Sequence, residues 1–166
     1  MKKLSILILS TLLLAGCSSA PSSQLSDPTA DTTIVTQSEE LSLQQVLNLA
    51  YLDELKAEAT YQYVIETFGE VRPFTNIINA EVKHSQSVYK LYEQFGLVAP
   101  EFQGIDDPSF ATIQEACQAG VTAEIENIEL YDTIIEQTNE PSVINTFENL
   151  RRASKENHLP AFQRCS

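Results

Sequence analysis

Residues 74–95 read FTNIINAEVKHSQSVYKLYEQF, and the spacing of the apolar groups in this run decides the fold. Phe74, Ile77, Val88, Leu91 and Phe95 recur at alternating steps of three and four, the period of an α-helix with one buried face. Two polar residues, Glu81 and His84, fall on that same stripe. Gly96 then closes the run, as glycine commonly does at a helix C-terminus.

The same rhythm extends in both directions. Residues 42–68 align Leu47, Ala50, Glu54, Ala57, Tyr61, Val64 and Phe68, with Gly69 and Pro73 marking the turn that follows. Residues 110–137 place Ile113, Cys117, Gly120, Glu124, Ile128, Tyr131 and Ile135 near one face, and Asn139-Glu140-Pro141 breaks them. A fourth helix from about residue 142 lines up Ile144, Phe147, Arg151, Ser154, His158, Ala161 and Cys165. Pro160 lies inside it and cannot bond back to the carbonyl of Glu156, which predicts a kink or an early end near His158. No alternation of period two survives, so the fold class is all-α. Residues 96–109 contain Pro100, Gly104 and Pro108 and read as an irregular connection. Extended, they reach about 45 Å, enough to run the length of a bundle. The expected architecture is a four-helix bundle with a long crossover between helices two and three.

Glu54, Glu81, His84, Glu124 and His158 interrupt the stripes near mid-helix, where apolar residues belong. A lone buried carboxylate is costly and must find a partner or a proton. A pair of divalent metal ions would satisfy the whole set, with carboxylates bridging and imidazoles giving neutral nitrogen ligands. The chain has only two histidines, and both fall in these stripes. Glu58, one turn from Glu54, is the alternative ligand; Glu126 and Glu129 read as surface groups. The rival explanation is a metal-free hydrogen-bonded network in which Arg151, Tyr61 and Tyr131 partner the carboxylates.

Glu54-x-x-Ala57-x-x-x-Tyr61 followed by Glu81-x-x-His84 resembles the first half of the ferritin and rubrerythrin superfamily. Phe74-Thr75-Asn76-Ile77 ahead of Glu81, with Asn157-His158-Leu159 and Ala161-Phe162 near the end, more narrowly resembles an uncharacterised prokaryotic ferritin-like family, domain of unknown function 2202. The resemblance covers roughly residues 43–164. It implies a ferritin-like fold and a di-iron-type site of one or two ions, with ferrous iron oxidation or reduction of oxygen species as the reaction class. Superfamily sites usually carry a second Glu-x-x-His on the last helix. Here Lys155 stands three before His158, so the set is one carboxylate short. That departure favours the alternative of a structural or interaction protein that keeps the bundle without catalysis.

The first residues set an expectation of location. Lys2 and Lys3 precede an apolar run over residues 4–15, then Leu14-Ala15-Gly16-Cys17. This resembles a bacterial lipobox: residues 1–16 read as a lipoprotein signal peptide, too short for a spanning helix, and Cys17 as the lipidated residue. Ser18 and Ser19, with no Asp at the second position, point by analogy with Gram-negative sorting to the outer membrane. Residues 17–40 are rich in Ser, Thr, Pro and Asp and read as a flexible tether of roughly 25 Å reach. Residues 41–166 form the folded domain. Ten basic against 23 acidic residues give a net charge of −13, becoming −15 without Lys2 and Lys3. Such a surface attracts cations and repels nucleic acid. The expected partners are therefore the membrane, through its anchor, and a divalent metal; a homodimer through helix pairs stays open.

Cys117 lies seven residues before Glu124, and Cys165 seven after His158. If the last two helices are antiparallel and both ligands meet, the sulfurs stand at equal height, about 10 Å from the site. A Cys117–Cys165 disulfide is expected in an oxidising compartment. Two independent buried thiols are the alternative.

Overall fold

The computed structural model describes residues 41–166. The signal peptide, the lipidated Cys17 and the tether expected over residues 1–40 lie outside the described residues. Those described contain helices and no strand: α1 (Leu43–Phe68), α2 (Phe74–Phe95), α3 (Ile113–Glu136), α4 (Pro141–Ala153), a π-helical turn (Ser154–His158) and α5 (Leu159–Gln163). None of these helices is long and apolar enough to cross a membrane.

Local chemistry sets the ends. Ser42 caps α1 through a reciprocal capping box with Gln45, satisfying two backbone donors that the first turn leaves free. Gly96 ends α2 in the left-handed conformation at φ 63°, which glycine adopts without Cβ strain. Helix α3 begins later than its apolar spacing suggests, because the Thr112 hydroxyl accepts the Glu115 N–H and fixes the start there. Residues 97–112 hold neither helix nor strand.

Side-chain pairs show how the helices run. Asn48 accepts a hydrogen bond from the Tyr92 hydroxyl, while Tyr61 meets Phe74, so α1 and α2 are antiparallel. Tyr131 packs on Phe147 while Cys117 is bonded to Cys165, so α3 runs antiparallel to the helical stretch from α4 to α5. Two apolar clusters fill the interior. One includes Leu47, Val88, Ile134, Phe147 and Leu150; the other includes Val64, Phe74, Ile77, Cys117 and Phe162. On every helix the Glu or His of interest falls in sequence between the residues of these two clusters.

The last helix departs from expectation. Its buried positions are Val143, Phe147, Leu150, Ser154, His158 and Phe162, whereas Ile144, Arg151 and Ala161 are only partly buried. The steps 4, 3, 4, 4, 4 carry one residue more than an α-helix allows. The π-turn absorbs it: the Leu159 N–H bonds to the Ser154 carbonyl, five residues back. The helix thus neither ends at His158 nor breaks at Pro160, which enters α5 in its first turn, where no N–H is needed.

Candidate metal centre

Five ionisable side chains from four helical segments meet in the layer between the two apolar clusters. Glu54 comes from α1, Glu81 and His84 from α2, Glu124 from α3, and His158 from the π-turn. Glu54 and Glu124 are fully buried, Glu81 is 1% exposed and His158 4%. Glu81 sits in the middle. One of its oxygens lies 2.9 Å from His84 Nδ1 and the other 3.1 Å from His158 Nδ1. Glu54 Oε2 approaches His84 Nδ1 at 3.5 Å, and Glu124 Oε1 approaches His158 Nδ1 at 3.5 Å. The two imidazoles stack with centroids 5.4 Å apart.

A reciprocal pair of tyrosines supports the outer carboxylates. The Tyr131 hydroxyl donates to Glu54 Oε1, and the Tyr61 hydroxyl donates to Glu124 Oε1 at 3.1 Å. Each tyrosine lies seven residues after the glutamate of its own helix, so α1 and α3 run antiparallel with matched register. Burial, then the neighbouring carboxylates, push both phenols well above the ordinary tyrosine range, so they remain donors. Glu54 thereby has Oε1 fixed and Oε2 turned to His84, whereas Glu124 uses Oε1 for both Tyr61 and the approach to His158.

The orphaned atoms test whether a metal fits. Among the described residues, Glu54 Oε2, Glu81 Oε1, Glu124 Oε2 and His158 Nδ1 are buried and make no hydrogen bond of good geometry: Glu81 Oε1 and His158 Nδ1 only face each other at 3.1 Å, and Glu54 Oε2 has His84 Nδ1 at 3.5 Å. Buried polar groups are normally paired, so each such atom calls for a reason. These four come from four helical segments and are carboxylate oxygens or an imidazole nitrogen, the atoms a first-row divalent ion takes. Glu81, His84 and His158 alone offer three ligand atoms within 4.8 Å of one another. This buried cluster can hold a metal ion.

Without metal, the cluster redistributes protons. Burial pushes Glu54 up to about 8, with His84 pulling the other way. Burial would also raise Glu81, but the flanking His158 and His84 prevail and hold it at about 2. Burial works against charge on the imidazoles, yet Glu54 and Glu81 lift His84 to about 10, and Glu124 and Glu81 lift His158 to about 9.

All five residues singled out in the sequence therefore share one site. Glu58 is partly buried and has no hydrogen bond or ion pair with either imidazole among the described residues. Arg151 is not a partner of the buried carboxylates; it reaches outward to Asp132. Lys155 and Glu156 are exposed, and Ser154 fills the buried position one turn before His158. Cys117 and Cys165 form a disulfide with Cα atoms 5.7 Å apart, joining α3 to the chain end just beyond α5. Sequence reasoning passed over Asp53 and Asn127. Asn127 is 3% exposed, and burial pushes Asp53 up to about 6. Asp53 is off the apolar stripe, and Asn127 displaces Ile128 from the inner face of α3, so the apolar rhythm marked neither.

The fold and site define an all-helical protein with a buried carboxylate–imidazole cluster suited to a metal. No family model and no curated protein matches the sequence. Among solved structures, the chain is similar to a hypothetical protein from Methanococcus jannaschii, with 21% identity over 89% of this chain and 84% of that one, at a TM-score of 0.65. It is also similar to a conserved hypothetical protein from Mycobacterium tuberculosis, with 15% identity over 72% of this chain and 89% of that one, at a TM-score of 0.57. These likenesses concern the fold.

Proposed function

We propose that the protein is a lipid-anchored, extracytoplasmic ferritin-like metal-binding protein of the domain-of-unknown-function 2202 type, with a dinuclear iron centre. The observation that carries this reading is the set of four buried ligand atoms, drawn from four helical segments, that make no hydrogen bond of good geometry among the described residues. The topology agrees with it. With α1 antiparallel to both α2 and α3, the latter two run in the same direction, and residues 97–112 supply the crossover that a ferritin-type four-helix bundle needs.

The residues divide into two halves around Glu81. Glu54 and His84 would hold metal on one side of Glu81, and Glu124 and His158 on the other. Tyr61 and Tyr131 orient the outer carboxylates, as hydrogen-bonded partners of metal ligands generally do. The apolar clusters on either side keep bulk water from the layer. Iron held there would supply electron transfer to oxygen, giving a ferroxidase or oxidative-stress role at the cell envelope. Ser154 offers no carboxylate where the superfamily has its sixth ligand, so five side chains would hold the metal here.

A second reading rests on the same departure. With Lys155 exposed and no sixth carboxylate, the imidazoles could neutralise the cluster as cations in a metal-free interaction protein. Elemental analysis of the purified chain separates the two. Two irons per chain, lost on His84→Ala, are expected for a dinuclear centre. No bound metal after reconstitution, with an unchanged melting temperature, supports the metal-free reading.

A further inference from the structure

A cavity of about 800 Å³ lies between α1, α3 and the connection over residues 97–112, apart from the metal-ligand atoms. Leu52, Phe102, Ile105, Phe110 and Ala123 give it an apolar lining. Its size and character match sites that take small organic molecules, which combine an apolar wall with a few convergent polar groups. Two such groups are present. Asn127 of α3 lines the cavity while only 3% exposed, and its amide makes no hydrogen bond among the described residues. Asp53 of α1 lines it too, with neither an ion pair nor a hydrogen bond among the described residues. An amide that lines a cavity and bonds to no other group there has both donor and acceptor capacity left for an occupant.

Charge narrows the class of occupant. Asp53, Glu101, Asp106, Asp107 and Glu126 lie on the walls and rim, against Lys56 as the sole basic lining residue among the described residues. An anionic molecule would be repelled, while a cation gains from every carboxylate. We propose that this cavity binds a small organic ammonium compound, its apolar body against the aromatic and aliphatic wall and its charged nitrogen shared by the Asp53 carboxylate and the Asn127 carbonyl oxygen. The site needs no metal. Tyr61 lines it and also donates to Glu124, so its occupant would touch a support of the neighbouring centre.

The test uses the full chain carrying Cys17→Ser, to avoid lipid, with Nile red as the reporter and three eight-carbon competitors. Octylamine should displace the dye at a concentration about tenfold below octanol, and octanoate should be weakest. Asp53→Asn should erase the amine's advantage over octanol while leaving octanol unchanged. Ala123→Trp, filling the cavity from α3, should abolish dye binding with helicity retained. If that variant does not fold, Thr60→Trp on α1 makes the same test. Octanoate displacing the dye as well as octylamine, or a dye signal indifferent to both tryptophan variants, would overturn the proposal.

Discussion

Replacing Gly120 by alanine would place a Cβ 2.6–2.7 Å from three atoms of the Phe162 ring. Ordinary contact begins near 3.4 Å, so the ring must retreat by nearly an ångström. It has little room to do so: Phe162 is fully buried, packed against Tyr61 at 5.3 Å and Phe74 at 5.2 Å between centroids. Overpacking of this kind costs about 2 kcal/mol, which for a domain of this size lowers the melting temperature by roughly 8 °C. The effect should reach the candidate metal centre as well. Phe162 lies four residues after His158 on the same helical face, and it packs on the tyrosine that holds Glu124. Thermal melts followed by far-ultraviolet circular dichroism, with and without added metal, measure both consequences. The double variant Gly120→Ala/Phe162→Leu should regain most of the loss, because leucine vacates the space the ring occupied. A melting temperature within a degree of wild type in the single variant would refute the close approach of α3 and α5.

Metal-free protein should be most stable near pH 5 and weaken as the solution becomes alkaline. His84 and His158 are raised in the folded state, to about 10 and about 9, so their contribution is full below about 6.5 and lost as pH rises through those values. Glu54, raised to about 8, adds to the decline, because the unfolded state releases its proton first. Glu81 is held at about 2 and makes the opposite contribution, present above about 4.5 and lost as pH falls through its folded value. Urea titrations in chelator across this range check the sign; stability rising from pH 6 to 9 would contradict it. Tyr131→Phe removes the donor to Glu54 and should weaken metal binding by roughly 10- to 100-fold in equilibrium dialysis. Replacing Cys117 and Cys165 by serine opens a loop with a sequence separation of 48 and should cost about 2–4 kcal/mol in denaturant melts.

Helix number, the positions of α1 and α2 and the convergence of the five inward-facing polar groups were legible in the sequence. They follow from local rhythm: an acidic or imidazole side chain on an otherwise apolar stripe cannot avoid the interior. The last helix was read less well, for a definite reason. Its stripe was traced at constant period, whereas the π-turn at Ser154–His158 inserts a residue and rotates Val143, Leu150 and Phe162 inward in place of Ile144, Arg151 and Ala161. Pro160 marked the right neighbourhood but the wrong distortion. The roles of the two tyrosines needed three-dimensional register, since Tyr61 supports a glutamate 63 residues away and Tyr131 one 77 residues away. The cavity was invisible in the sequence because an irregular connection forms one of its walls.

Anomalous diffraction at the iron edge, from crystals grown with ferrous iron, asks the central question directly. Two peaks about 3.5–4 Å apart are expected, both touching Glu81, one flanked by Glu54 and His84 and the other by Glu124 and His158. A map with no peak in this layer, or with peaks only at exposed carboxylates, would contradict the account.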